Sequence, residues 1–156
     1  MTKLVLVRHA KSDWGDPGLD DHDRPLNRRG LRDAPRMAAR LAESGFRADA
    51  ILSSTAARAA ATAGHFGGAL GVPVELQEDL YGAPGSVLLR AAAERGVDSV
   101  IVVAHDPGLS MLAGALSDGG IGHMPTCAVA IFTWDDDDWD VATAVAPQSW
   151  SLDTPD

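Results

Sequence analysis

Two histidines in this sequence each follow an apolar run, and each has polar neighbours. His9 comes after Leu4–Val7 and Arg8, and His105 comes directly after the apolar stretch 100–104. A strand that only filled a core would not need a guanidinium and an imidazole at its end. A neutral imidazole can act as a nucleophile, and a guanidinium offers a planar fork of donors that suits phosphate oxygens. These residue types therefore indicate chemistry on an anionic group.

Strand-like and helix-like segments alternate along the chain, which predicts an α/β domain with a mainly parallel sheet. Strands are predicted at Leu4–Val7, Ala50–Leu52, Val72–Leu76 and Val97–Ala104, with a closing pair at Val129–Trp134 and Trp139–Val145 around a turn at Asp135–Asp138. Helices are predicted at Asp33–Glu43, Ala56–Leu70, Ser86–Arg95 and Leu109–Leu116. Asp33 is expected to cap the first of them, which would place Pro35 in its first turn. We find no repeat or linker, so residues 1–156 are expected to form a single domain.

Ligands of such sheets bind beyond the carboxyl ends of the strands. His9, Ser53 with Ser54, Glu78 and His105 each follow a different predicted strand. We therefore expect polar groups from four distant stretches to meet at one edge of the sheet.

The composition excludes several classes of protein. The chain has 156 residues, 46% of them hydrophobic, and no apolar run approaches the roughly 20 residues of a membrane-spanning helix. The N-terminal apolar run is too short for a signal peptide, so a cytoplasmic protein that binds no membrane is expected. Its net charge of −9 argues against general nucleic-acid binding, and its single cysteine excludes an internal disulfide and a cysteine-based zinc cluster.

No metal site or other cofactor is predicted. The histidines lack the HxH and HxxxH spacings of metal ligands, which argues against a metal-dependent phosphohydrolase. The run Asp135–Asp138 lacks the spacing of a calcium-binding loop, and a solvated hairpin turn explains it better.

Five short motifs, in their order along the chain, resemble the histidine phosphatase superfamily, also called the phosphoglycerate mutase-like family. They are LVRHA at 6–10, DRPLNRRG at 23–30, SSTAAR at 53–58, LQEDLYG at 76–82 and AHDPG at 104–108. The second motif and the short length are most similar to the SixA-type phosphohistidine phosphatase branch. The resemblance implies a three-layer α/β/α fold and a phosphatase that needs no metal.

The resemblance also implies roles for individual residues. His9 would attack phosphorus and become a phosphohistidine, while Arg8, Arg58 and His105 would stabilise the phosphoryl group. Glu78 matches the glutamate of the mutase branch and would donate the proton, with Asp79, Asp13 and Asp106 as alternatives. Further phosphate contacts are expected from Ser12, Arg24 and Asn27.

At two positions the chain departs from the family pattern, because Ala10 and Ala104 stand where glycine is usual. Each added methyl group is expected to be able to crowd the pocket. The chain is short and leaves little room for a lid, so a fairly open site is expected. Such a site suits a phosphoryl group carried on a protein, including phosphohistidine.

Other functions stay open at this point. A small-molecule phosphatase acting on a sugar phosphate or another metabolite is the nearest rival. Mutase activity is less expected, because it needs an enclosed site that keeps out water. A binding module that senses a phosphorylated ligand without turning it over would predict the loss of His9 or His105, and both residues are present.

Overall fold

The computed structural model describes residues 1–156 and consists of six strands and five helices. The strands are β1 (Thr2–Arg8), β2 (Ala50–Ser53), β3 (Val74–Leu76), β4 (Ser99–Ala104), β5 (Val129–Trp134) and β6 (Ser149–Asp153). The helices are α1 (Arg28–Glu43), α2 (Ala57–Leu70), α3 (Gly85–Arg95), α4 (Gly108–Leu116) and α5 (Trp139–Ala142). Single helical turns lie at Asp21–Asp23 and Glu78–Leu80.

The strands form one sheet in the order β3-β2-β4-β1-β5-β6. The first four strands in this order are parallel, while β5 and β6 run antiparallel to their neighbours. The predicted α/β fold class with a mainly parallel sheet is confirmed. Because β1, β2 and β4 are parallel neighbours around the sheet centre, the residues that follow them emerge at the same edge.

Helices cover both faces of the sheet, because its central strands are apolar on both sides. Leu4 and Leu6 of β1 belong to one hydrophobic core, which α3 and α4 complete. Val5 and Val7 belong to a second core, which α1 and α2 complete. The three-layer arrangement therefore follows from the side-chain alternation of the strands. None of the helices is both long enough and apolar enough to cross a membrane.

Helix α1 begins earlier than predicted. Asn27 caps it by accepting a hydrogen bond from the backbone N–H of Gly30 at 2.9 Å, so the helix starts at Arg28 and Pro35 lies inside it. Asp33, predicted as the cap, is instead a fully buried residue of the helix. Its carboxylate forms ion pairs with three arginines of the same helix, Arg29, Arg32 and Arg36, at 3.3 to 3.8 Å. Asparagine is a strong helix cap, because its side-chain oxygen accepts a hydrogen bond from a free N–H group of the first turn.

The second strand of the closing pair was predicted at the wrong residues. The segment from Trp139 forms the short helix α5, which Asp138 caps by accepting a hydrogen bond from the N–H of Asp140 at 2.9 Å. The strand that pairs with β5 is β6, at Ser149–Asp153. Trp139 and Ala142 are buried three residues apart, a helical spacing that the alternation prediction did not recognise. The aspartate run is consequently a connection into a helix and not a hairpin turn.

Candidate active site

The carboxyl ends of β1 and β4 bring the two motif histidines together. In the parallel register Arg8 pairs with Ala104, and the N–H of His9 donates to the carbonyl oxygen of Ala104 at 3.2 Å. The imidazole rings of His9 and His105 are tilted by 52° to one another, with their centroids 5.1 Å apart. Residues almost one hundred positions apart in sequence thus form one site.

A main-chain contact fixes the tautomer of His9. Its Nδ1 lies 2.8 Å from the carbonyl oxygen of Ala10, and since a carbonyl oxygen can only accept, Nδ1 carries the proton. The lone pair is therefore on Nε2. Burial lowers the pKa of His9 to about 4, and the guanidinium groups of Arg58 and Arg8 act in the same direction. His9 is therefore neutral at pH 7 and can serve as a nucleophile through Nε2.

His105 is held beside it as a second neutral imidazole. Its Nε2 lies 2.7 Å from the hydroxyl oxygen of Ser54, at the end of β2. Burial lowers the pKa of His105 to about 3, and the neighbouring His9 adds to this effect. The predicted convergence of Ser54 with the two histidines is seen in the structure.

Two guanidinium groups lie beside the histidines. Arg58, in the first turn of α2, is 6% exposed, and Arg8 ends β1. Arg8 donates through Nη1 to the carbonyl oxygen of Met124 at 2.9 Å and faces Asp106 at 3.7 Å. Nε of Arg8, Nε of Arg58 and Nδ1 of His105 are the buried side-chain polar atoms of the molecule that have no hydrogen-bond partner. Since buried polar atoms are nearly always paired, this cluster suits an anionic ligand.

The other predicted phosphate contacts have partners within the protein. Arg24 is buried, donates through Nη1 to the Ser12 hydroxyl at 2.8 Å, and lies 3.3 Å from the ring centroid of Trp14. Asn27 caps α1. The charge of Arg24 also reaches His9 and helps to lower its pKa. A phosphate contact from Ser12, Arg24 or Asn27 stays a prediction.

Glu78 is not brought into contact with the histidines. It opens an exposed single turn after β3, and no hydrogen bond or ion pair joins it to another side chain. Tyr81, three residues later, packs edge-on against His105 with ring centroids 5.5 Å apart. The alternative carboxylate Asp106 accepts hydrogen bonds from the N–H and the hydroxyl of Ser110, so both of its oxygens act as acceptors.

Ala10 and Ala104, which stand where the family pattern has glycine, pack in the hydrophobic cores. Both residues are fully buried, and they belong to the two hydrophobic cores on opposite faces of the sheet. The site is, however, less open than the sequence suggested. His9 is only 7% exposed, and no cavity of the molecule is lined by His9, Arg58 or His105.

Sequence reasoning missed Asp21, whose carboxylate contacts Arg58, Arg24 and Tyr81. It lies in a loop that contains several aspartates, and no periodicity distinguishes it from the others. The only available signal was its position three residues before Arg24 in the second motif. Tyr81 lies within the LQEDLYG motif, but no role was predicted for it.

The low pKa values of the two histidines lead to a testable prediction. In a spectrum of the ¹⁵N-histidine-labelled protein, the His9 and His105 rings are expected to stay neutral from pH 7 to pH 5, with the proton of His9 on Nδ1. The unfolded chain protonates both near pH 6.5, so the free energy of unfolding should fall as the pH decreases below that value. Titration of either ring near pH 6.5 would contradict the burial seen here.

Comparison with known proteins agrees with this geometry. The family model described as "Histidine phosphatase superfamily (branch 1)" matches residues 4–82, about half of the chain. A protein of Mycobacterium tuberculosis is 42% identical over 113 residues, which cover 71% of this chain and 70% of that protein. The chain belongs to the histidine phosphatase superfamily.

Within this superfamily the chain resembles the SixA-type branch. A structure assigned as the phosphohistidine phosphatase SixA of Agrobacterium tumefaciens has a TM-score of 0.79 and 32% identity, covering 85% of this chain and 92% of that one. A second SixA structure, solved with tungstate, has a TM-score of 0.76 and 23% identity over 98% of this chain and 95% of its own, a likeness of fold. The predicted family and branch are confirmed.

Proposed function

We propose that this histidine phosphatase superfamily member is a phosphatase that works through a covalent phosphohistidine on His9. The observation that carries the proposal is the His9 ring, whose Nδ1–H is bound to the Ala10 carbonyl and whose Nε2 is left with a free lone pair. The His105 ring lies 5.1 Å from it, and the charges of Arg58 and Arg8 act on it. Membership of the superfamily supports phosphatase activity.

The proposed reaction has two steps. In the first, Nε2 of His9 attacks phosphorus, a P–N bond forms, and the bond from phosphorus to the leaving group breaks. The leaving group departs with the bonding electrons and takes up a proton. In the second step water attacks the phosphohistidine, and the P–N bond breaks with its electrons returning to Nε2. The proton released by the water replaces the one taken up by the leaving group, and the products are inorganic phosphate and free His9. Arg8 and Arg58 offset the negative charge of the phosphoryl oxygens, and His105 contributes a hydrogen bond in both steps.

A phosphoryl group carried on a protein, such as a phosphohistidine, is the proposed substrate. The structural relatives described as SixA are phosphohistidine phosphatases by name, and one of them binds tungstate, which has the tetrahedral shape of phosphate. A small phosphorylated metabolite is the alternative.

The experiment is to trap phosphate on the intact protein with excess chelator present. A ³²P-labelled histidine-carrier protein and labelled sugar phosphates would be mixed with the protein and quenched within milliseconds. We expect a label that is stable in base and released by acid, on a peptide that contains residue 9. Hydrolysis without a trapped label, or hydrolysis that chelator abolishes, would contradict the proposal.

Glu78 is proposed as the proton donor, and this role predicts a dependence on the leaving group. Glu78→Gln should slow hydrolysis of an alkyl phosphate by about 10²-fold or more, the usual contribution of a general acid. Hydrolysis of an aryl phosphate with an acidic phenol, which departs without a proton, should change little. Glu94→Gln, which makes the same change at an exposed glutamate of α3, is the matched control. An equal effect of Glu78→Gln on both substrates would exclude the role.

A further inference from the structure

A single carboxylate, that of Asp21, is bound by three side chains that surround the candidate site. Arg58 donates through Nη2 to Oδ2 at 2.9 Å, and Tyr81 donates its hydroxyl to the same oxygen at 2.5 Å. Arg24 donates through Nε to Oδ1 at 3.1 Å. The Tyr81 hydroxyl and the two guanidinium groups hold the pKa of Asp21 well below its usual range, so Asp21 is a fixed anion and not a proton donor.

The loop that carries Asp21 is itself anchored at its base. The N–H of Asp13 donates to the carbonyl of Pro25 at 2.8 Å, and the N–H of Asn27 donates to the carbonyl of Lys11 at 2.9 Å. The buried guanidinium of Arg24 crosses the loop and also donates to the Ser12 hydroxyl. The position of Asp21 is therefore defined by main-chain pairing as well as by its side chain.

Asp21 occupies one edge of the Arg58 guanidinium. Arg58 donates through Nη1 to the Asp21 carbonyl oxygen at 2.7 Å, in addition to its Nη2 bond with the carboxylate. A guanidinium has five N–H donors in a fixed plane, so holding both terminal nitrogens fixes the direction of the others. Among these remaining donors is Nε, which is buried and has no partner.

We propose that Asp21 is a positioning residue that fixes the orientation of Arg58, so that its remaining donors are directed at the phosphoryl group on His9. This inference rests on the proposed function, because it assigns Arg58 to the phosphoryl group. Asp21 does not touch the reacting atoms and acts only through Arg58. Tyr81 and Arg24 hold the Asp21 carboxylate from its other sides.

An opposite role for the same contact is that the Asp21 carboxylate competes with phosphate for Arg58. Two observations disfavour it. One bond to Arg58 comes from the main-chain carbonyl, which rotation of the Asp21 side chain cannot remove. The carboxylate also accepts hydrogen bonds from Tyr81 and Arg24, and a phosphate that displaced it from Arg58 would have to compensate for the loss of these bonds as well. The two roles predict changes of opposite sign when the charge of Asp21 is removed.

The experiment compares Asp21→Asn with Asp23→Asn. Each removes one negative charge from the same short turn, but Asp23 contacts only His22 and neither arginine. Positioning predicts that Asp21→Asn lowers kcat for an aryl phosphate by about 10- to 100-fold, as loss of a supporting hydrogen bond does at other sites. Asp23→Asn should keep the activity of the unaltered protein. A kcat equal to that of Asp23→Asn, or a rise in kcat/KM, would overturn the inference.

A second comparison tests whether Asp21 acts through Arg58. In an Arg58→Ala background the same Asp21→Asn change should have almost no further effect on kcat. If the two residues acted independently, the fold-reductions in kcat of the two substitutions would multiply. A general loss of structure would lower the melting temperature and would persist in that background. An undiminished effect of Asp21→Asn without Arg58 would therefore reject positioning.

Phosphate binding separates failure of this inference from failure of the proposed function. If the unaltered protein hydrolyses neither a phosphate ester nor a protein phosphohistidine, the proposed function fails, and calorimetry with inorganic phosphate still tests Asp21. A higher dissociation constant for Asp21→Asn than for Asp23→Asn supports positioning. An equal or lower constant overturns it, because removal of a competing anion would strengthen phosphate binding.

Discussion

His9→Asn is expected to lower the turnover of every phosphorylated substrate by on the order of 10⁴-fold or more, as removal of a covalent nucleophile does. The asparagine amide can still donate to the carbonyl of Ala10, in place of the imidazole Nδ1. It has no basic nitrogen at the Nε2 position, so no phosphoryl group can be transferred to it. The measurement is the steady-state rate together with the amount of acid-labile, protein-bound phosphate, and both should fall to background.

His65→Ala is the control for this variant, because His65 is an exposed histidine of α2 without contacts to the site. It should retain full activity and full labelling. His9→Asn replaces a nearly buried side chain, so circular dichroism and binding of inorganic phosphate must show that the variant is folded. A folded His9→Asn protein that still hydrolyses substrate at more than a few per cent of the normal rate would exclude the covalent route.

Arg58→Ala is expected to lower kcat by about 10²- to 10³-fold, the usual cost of removing a group that stabilises transition-state charge. Arg58 is almost completely buried, so its charge acts in a medium where electrostatic interactions are strong. Arg58→Lys should recover only part of the loss, because a lysine keeps the charge but not the planar fork of donors. The effect should fall mainly on kcat, since charge on the phosphoryl oxygens is redistributed in the transition state.

The matched control is Arg28→Lys, at an exposed position in the first turn of α1. Its kinetics should equal those of the unaltered protein. Arg58→Ala also removes one of the two ion-pair partners of Asp21, the other being Arg24, so the melting temperature should fall together with the activity. If Arg58→Lys were fully active, a positive charge alone would suffice and the bidentate role would be wrong.

The fold could largely be predicted from the sequence because its central strands are short, uninterrupted apolar runs. A run such as Val100–Ala104, apolar throughout, is only stable when both faces are covered, and this predicts helices on each side of a parallel sheet. The errors lie where short polar residues decide the local structure. Asn27 caps α1 and so sets the residue at which that helix begins. Asp138 caps a helix where the alternation of apolar and polar residues favoured a strand.

The histidine pair was likewise predictable, since each residue follows a strand and parallel strands end at a common edge. His9 and His105 needed only that rule and the order of the motifs. Glu78 was predicted by the same reasoning, but β3 lies at the far edge of the sheet and is separated from β1 by two strands, β2 and β4. Following a strand places a residue at the correct edge without placing it near the centre of that edge, so the role of Glu78 stays a prediction.

The sequence by itself determined the fold class, the family and the identity of the two histidines, because these depend on local pattern and on the order of motifs. Only the tertiary structure decided which nitrogen of His9 is free, that burial lowers its pKa, and that Asp21 lies against Arg58. These properties depend on burial and on hydrogen bonds between residues distant along the chain. No local pattern records such contacts, since Asp21 and Arg58 are 37 positions apart and meet only in the folded chain.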